Sequence, residues 1–322
     1  MTPPPPPFDP ELAAALNRMG DALSAQLTAE ETAAQRESIA QLEPSLDELS
    51  SGGDFDVEER FVPGPSEAPD VGLLILRPRR VRGPRPVVYS IHGGGMVMGS
   101  HKFGTERPVE WARELGMTVV SVDYRLAPEN PHPAPVEDCY AGLLWTAAHA
   151  EEIGGEASGV IVAGSSAGGG LAAATTLLAR DRGGPELLGQ VLICPMLDDR
   201  NDTPSAHQMV GHDLWDRNAN AIGWNALLGE RRGTDGVPPY AAPGRATDLS
   251  GLPPAFIDVG SAETFRDEAV SYASRIWLAG GRAELHVWPG GFHSFDAIAP
   301  EAAISQAARA ARLQWLRRLV GE

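Results

Sequence analysis

Apolar positions divide the chain into two patterns. In the first, Leu12, Leu16, Met19 and Leu23 recur at spacings of three and four, one face of a helix. Asp9 and Pro10 stand before this stripe as N-cap and first helical position. Thr28 and Glu31 have capping-box spacing for a second helix that reaches about Leu42. The stretch up to about Ser50 therefore reads as two helices ahead of any strand. A polyproline run, Pro3 to Pro7, precedes them as an extended end.

From Phe55 the period changes. Apolar segments at 72–76, 87–91, 118–122, 160–163, 191–194, 255–259 and 283–287 predict strands. Helical stretches at 109–114, 136–150, 169–180, 263–278 and 302–320 lie between or after them. Such alternation predicts an α/β fold with a mostly parallel sheet covered by helices on both faces. The early strands have no helix between them, which suggests an antiparallel start. Residues 198–245 break the alternation: Met209, Trp215, Trp224 and Leu227 sit among polar residues with no strand pattern. An insertion after a strand's C-terminal end lies over the crevice where such sheets bind ligands. With the N-terminal helices it is a candidate lid. The expected organisation is N-terminal cap helices at 1–50, core at 51–197, cap insertion at 198–245 and core again at 246–322.

Composition narrows the function. The 322 residues suffice for one large core, and 43% apolar with 21% charged residues is a globular balance. A net charge of −17, with Lys102 the only lysine, argues against a nucleic-acid partner, which needs a basic stripe. Cys139 and Cys194 each fall in an apolar segment and read as buried free thiols, which fits a reducing compartment. The start MTPPPPPFDP lacks the basic and apolar regions of a signal peptide, and no apolar run approaches the ~18 residues of a membrane span. A cytoplasmic protein with no membrane partner is the expectation.

The chemistry centres on VIVAGSSAGGGLAAA, residues 160–174. A dinucleotide or P-loop phosphate cradle needs glycine spacings, and in the second case a lysine, that this turn lacks. A plain strand-to-helix connection with packing glycines is a second reading. The third is a nucleophile elbow: Gly164-x-Ser166-x-Gly168 places a serine between strand and helix, with the small residues that its strained turn requires. The amide of Ala167 would then point at a developing oxyanion.

Partners decide among the three. His92-Gly93-Gly94-Gly95 follows the strand at 87–91, and consecutive glycines can aim several N–H groups at one point, an oxyanion loop. The donating pair is Gly93 with Gly94 or Gly94 with Gly95, while His92 bonds backbone. A serine needs an adjacent base. Of the eight histidines, His293 is the last in the chain and lies in a glycine-rich loop after the last strand, which suits the order Ser, acid, His; His286, also late, sits within a strand pattern. Glu263, just beyond the strand at 255–259, is the expected acid; Asp267, a turn further on, is the alternative, and Asp258 lies inside the strand.

These residues together resemble the bacterial hormone-sensitive-lipase-like esterases of the α/β-hydrolase superfamily. The resemblance runs from about Val71 to the C-terminus. It rests on HGGG at 92–95, DYRLAPE at 123–129, GSSAGG at 164–169, SAETFRDE at 261–268 and GFHSF at 291–295. It implies the α/β-hydrolase fold, an eight-stranded sheet with a helical cap, and carboxylester hydrolysis without cofactor or metal. It also implies homodimers paired through the edge strand near 283–287. Two positions depart from the family: Ser165 stands where Asp or Thr is usual, and Glu263 where Asp is usual.

The expected reaction is attack of Ser166 on a small or medium, short-acyl ester, with His293 as base, Glu263 as its orienting acid and Gly93, Gly94, Gly95 and Ala167 as oxyanion donors. Met96, Met98, Phe103, Trp215 and Trp224 are candidates for the substrate pocket, with ordinary core packing as the alternative for each. An amidase or lactonase would use the same machinery. A non-catalytic receptor on the same fold is the rival of another class.

Overall fold

The computed structural model describes residues 4–19, 31–81, 83 and 85–321. Thr28 and Leu23 of the expected N-terminal pattern lie outside these residues. Strands β1 (Phe55–Val62), β2 (Val71–Pro78), β3 (Arg85–Ile91), β4 (Thr118–Asp123), β5 (Gly155–Ser165), β6 (Gly189–Ile193), β7 (Ala255–Gly260) and β8 (Ala283–Trp288) form one eight-stranded sheet. Its order is β1-β2-β4-β3-β5-β6-β7-β8. β2 runs antiparallel to both neighbours, and every later pairing is parallel. The fold is therefore the α/β-hydrolase fold that the motifs imply, antiparallel start included.

Around the sheet lie α4 (Glu106–Leu115), α5 (Ala134–Ala148), α6 (Ala167–Asp181), α9 (Arg266–Leu278) and α11 (Ala303–Val320). The N-terminal region contributes α1 (Pro10–Met19), α2 (Glu31–Leu42) and α3 (Leu46–Ser50). The insertion holds α7 (Pro204–Gln208) and α8 (Arg217–Leu228), and the short α10 (Phe295–Ile298) follows β8. Asp9 caps α1 through its Oδ1, which accepts from the Glu11 and Leu12 amides at 2.9 and 3.3 Å.

Position follows from topology. β3 and β5 are neighbours, yet the chain leaves β3 towards β4 on one side and β5 towards β6 on the other. This is the switch point at which such sheets leave a crevice beyond the strands' carboxyl ends. The glycine loop after β3 and the serine turn after β5 both open there. Helix α6 is buried from Ala167 to Ala179, and its small residues let it lie close against the strands.

Three elements differ from the sequence expectation. β1 was not among the expected strands because FDVEERFV lacks alternation; it forms the sheet edge, where only Phe55 and Val62 are buried. β6 ends at Ile193, and Cys194 turns away with φ 37°. Helix α9 starts at Arg266 rather than at Glu263, since the Ser261 and Ala262 amides bond to Trp288 and Gly291 carbonyls instead of starting a helix.

Beneath the C-terminal loops lies a buried charge network. Arg312 on α11 donates to Asp258 of β7, Nε–Oδ2 2.9 Å, and to Asp296 of α10. Arg107 of α4 grips the same Asp296 with Nε at 3.0 Å and Nη2 at 2.9 Å. Burial alone would raise the Asp296 pKa, but Arg107 and Arg312 outweigh it and hold this carboxyl well below its usual range.

Candidate active site

Ser166 occupies the turn between β5 and α6 with φ 58° and ψ −123°, a conformation that L-residues adopt only under constraint. Its amide donates to the Ile193 carbonyl at 2.9 Å, and its own carbonyl accepts from Gly170 and Met196 amides at 3.0 Å. The flanking glycines are sterically required. A Cβ on Gly164 would stand 2.1 Å from the Gly168 carbonyl oxygen, and one on Gly168 would stand 2.1 Å from that of Ile91. Gly168→Ala is therefore expected to destabilise the protein by at least about 1–3 kcal/mol through overpacking against backbone. Chemical denaturation measures it, and an unchanged midpoint would contradict the close approach.

His293 stands in the loop after β8, and the chain brings three distant residues into line there. Its Nε2 lies 3.0 Å from Ser166 Oγ, and its Nδ1 lies 2.7 Å from Glu263 Oε1. The second carboxylate oxygen of Glu263 accepts the Gly260 amide at 3.1 Å. All three residues are buried, and Phe265 meets the imidazole edge-on at 5.3 Å between ring centroids. The glutamate's extra methylene is accommodated because Glu263 sits in the non-helical turn ahead of α9. Burial works to lower the His293 pKa, but the Cys194 sulfur and the Glu263 carboxylate beside the ring outweigh it, so the value stands well above 6.5.

The alternative acid is occupied elsewhere: Asp267 accepts from the Ser205 amide at 2.7 Å and from Arg266 Nε at 2.8 Å. His92 donates from Nδ1 to the Gly93 carbonyl at 2.7 Å and stacks on Tyr124, whose hydroxyl donates to the His92 carbonyl at 3.0 Å. Burial lowers the His92 pKa to about 4, so the ring is neutral at pH 7.

A cavity of about 600 Å³ opens onto Ser166 and His293. Gly93, Gly94, Met98, Phe103, Leu214 and Trp215 border it. Met96 and Trp224 do not: Met96 turns into the core at φ 69°, and Trp224 is fully buried on the inner face of α8. Gly95 does not border the cavity either, and the Trp215 ring lies 2.2 Å from where its Cβ would be. Ala167 opens α6, and its amide, like every first helical amide, has no partner within the helix. Ser165, the unusual neighbour of Ser166, places its Oγ 3.7 Å from Cys194 Sγ. Both cysteines are free and buried.

The N-terminal segment is fastened to both halves of the site. Arg36 on α2 donates to the Val97 carbonyl at 2.5 Å, the Ala127 carbonyl at 2.7 Å and Glu129 Oε1 at 2.7 Å, gripping the end of the glycine loop. The Asp9 amide donates to Gly290 O at 3.1 Å, and Leu12 packs with Phe292 and Phe295 under the histidine loop. Sequence reasoning missed Asp213 of the insertion, which accepts from the His293 amide at 2.9 Å and from the Thr264 amide at 3.0 Å. No local spacing signals such a contact.

Residues 87–297 match the family of the alpha/beta hydrolase fold. The carboxylesterase NlhH of Mycobacterium tuberculosis is 37% identical over 254 residues, 77% of this chain and 78% of its own length. Hormone-sensitive lipase of Bos taurus is 37% identical over 99 residues, 31% of this chain and 13% of its own. Among solved structures, a bacterial heroin esterase aligns with TM-score 0.86 at 40% identity, over 97% of this chain and 98% of that one.

Proposed function

The chain belongs to the hormone-sensitive-lipase-like carboxylesterases of the α/β-hydrolase fold, and on that premise we propose that Ser166, His293 and Glu263 hydrolyse small carboxylic esters through an acyl-enzyme. The observation that carries this assignment is the continuous contact from Glu263 Oε1 through both nitrogens of His293 to Ser166 Oγ, at 2.7 and 3.0 Å. Ser166 attacks the ester carbonyl as Nε2 takes its proton, and Glu263 keeps the second proton on Nδ1 and stabilises the imidazolium. The amides of Gly93, Gly94 and Ala167 receive the oxyanion, at about 3–4 kcal/mol for each donor. His293 then protonates the leaving alcohol, and water repeats the cycle on the acyl-serine.

Residues 1–50 and 198–245 serve as a cap over the core at 51–197 and 246–322. The support is that Ile39, Leu214 and Trp215 from these two segments border the cavity above the serine. A capped, mostly apolar space of about 600 Å³ suits short-acyl esters, so turnover of p-nitrophenyl esters should decline as the acyl chain lengthens. A rate that rises steadily to long chains contradicts the cap. A fluorophosphonate probe should label Ser166; an unlabelled serine in folded protein points to a binding-only receptor instead. Pairing of two copies along β8, the free sheet edge beside exposed Trp277 and Leu278, is the proposed assembly, and a monomeric sedimentation profile would remove it.

Glu263→Gln keeps the shape and removes the charge that fixes the His293 tautomer, so kcat should fall by about 10³- to 10⁴-fold. The pH profile follows from the raised pKa of His293. Protonated imidazole cannot accept the serine proton, so kcat/KM falls as pH drops through that value, and the acid limb should lie above pH 6.5. A limb centred below 6.5 contradicts the electrostatic reading.

A further inference from the structure

Between α7 and α8 the chain turns at Asp213, whose carboxylate is directed at the histidine loop and the glutamate turn as well as at its own segment. Oδ1 accepts from the His293 amide at 2.9 Å and the Leu214 amide at 2.8 Å. Oδ2 accepts from the Thr264 amide at 3.0 Å, while the Thr264 hydroxyl donates to the Trp215 carbonyl at 2.8 Å. Thr264 directly follows Glu263. One side chain of the insertion thus holds the backbone of His293 and of the residue next to Glu263.

The chemistry of these contacts calls for a carboxylate. Amides from two different loops converge on its two oxygens, and each needs an acceptor. An asparagine has one acceptor oxygen and would press its own N–H₂ against the remaining amide. The charge, however, is unfavourable in this place. Burial and then the Glu263 carboxylate push the Asp213 pKa up to about 7, with His293 opposing them. These two are the titratable groups that face it, Glu263 from the turn after β7 and His293 from the loop after β8.

We infer that Asp213 is a positioning residue: it fixes the His293 loop and the Glu263 turn from the insertion, so the base is aimed at Ser166 only while the insertion is seated. The two residues after it, Leu214 and Trp215, border the cavity, and Trp215 lies against Gly95 of the glycine loop. The same turn therefore closes the substrate space and sets the catalytic loop. This inference rests on the Ser166–His293–Glu263 assignment proposed above.

The test is Asp213→Asn, assayed on a short-acyl p-nitrophenyl ester over a pH range. Because a misplaced base costs rate directly, kcat should fall about 10- to 100-fold, with a smaller change in KM from any shift of Leu214 and Trp215. Asp213, with a pKa of about 7, is partly charged in this range, so its loss beside the imidazole should also move the acid limb of kcat/KM to lower pH. Asp213→Ser, too short to reach either amide, should lose kcat likewise and keeps the test intact if the asparagine variant does not fold. Unchanged kcat, or a loss confined to KM with an unshifted limb, overturns the inference. Fluorophosphonate labelling separates the two levels. If wild-type Ser166 is labelled and Asp213→Asn is fully active, only the role of Asp213 falls; if wild-type Ser166 is not labelled, both fall.

Discussion

Ser166→Ala is expected to abolish p-nitrophenyl ester turnover, lowering kcat by about 10⁴- to 10⁶-fold, in a protein that still folds. The alanine keeps the Cβ that the strained backbone already carries, so nothing in the packing changes. What disappears is the atom at 3.0 Å from His293 Nε2, and with it the acyl-enzyme route. The residual rate would come from the glycine-loop amides and from substrate positioning alone. Ser166→Gly should be equally inactive but about 1 kcal/mol more stable than Ser166→Ala, since φ 58° with ψ −123° is strained only for residues with a side chain. Activity retained by the alanine variant would remove Ser166 from the mechanism. Equal stability of the two variants would remove the strain from the elbow.

The largest expected effect on stability is that of Arg312→Met, about 3–5 kcal/mol by chemical denaturation. Arg312 is 2% exposed and stands between two buried carboxylates, Asp258 and Asp296, of which, among the described residues, only Asp296 has a second guanidinium, Arg107. Burial opposes the charge on Arg312, but Asp258 and Asp296 outweigh it and hold its pKa well above the ordinary arginine value. Removing it leaves the Asp258 charge facing only the Trp288 indole, which donates at 3.0 Å. Burial already raises the Asp258 pKa in the presence of Arg312, and without the guanidinium it rises further. The sign of the pH dependence follows. A carboxyl whose folded pKa is raised costs more stability as pH climbs above its unfolded value near 3.8 and through the raised one. The gap between wild type and Arg312→Met should therefore be wider at pH 8 than at pH 5. A gap that is equal at both values would mean that Asp258 relaxes into solvent.

The sequence by itself determined the elements that a local pattern can encode. Buried parallel strands read as apolar runs because both faces are covered, and six of the seven expected segments lie wholly within strands of the observed sheet. The seventh runs one residue past β6 to Cys194, where the backbone changes hand. Gly164 and Gly168 were legible because a Cβ at either would collide with backbone, so the residue type records the turn. Chain order narrowed eight histidines to His286 and His293, and the loop position after the last strand pointed to His293. β1 escaped because an edge strand buries little, and burial is what imposes a period on sequence.

Only the tertiary structure decided which side chains meet. It separated Met98 and Trp215, which border the cavity, from Met96 and Trp224, which do not, since pocket and core draw on the same apolar residue types. It put Trp215 against Gly95, leaving Gly93 and Gly94 facing the open space. It brought Asp213 to the amide of His293, 80 residues away, and Arg36 to the carbonyl of Val97, 61 residues away. Such contacts leave no trace in spacing, because a hydrogen bond to a backbone amide or carbonyl asks nothing of the partner's residue type.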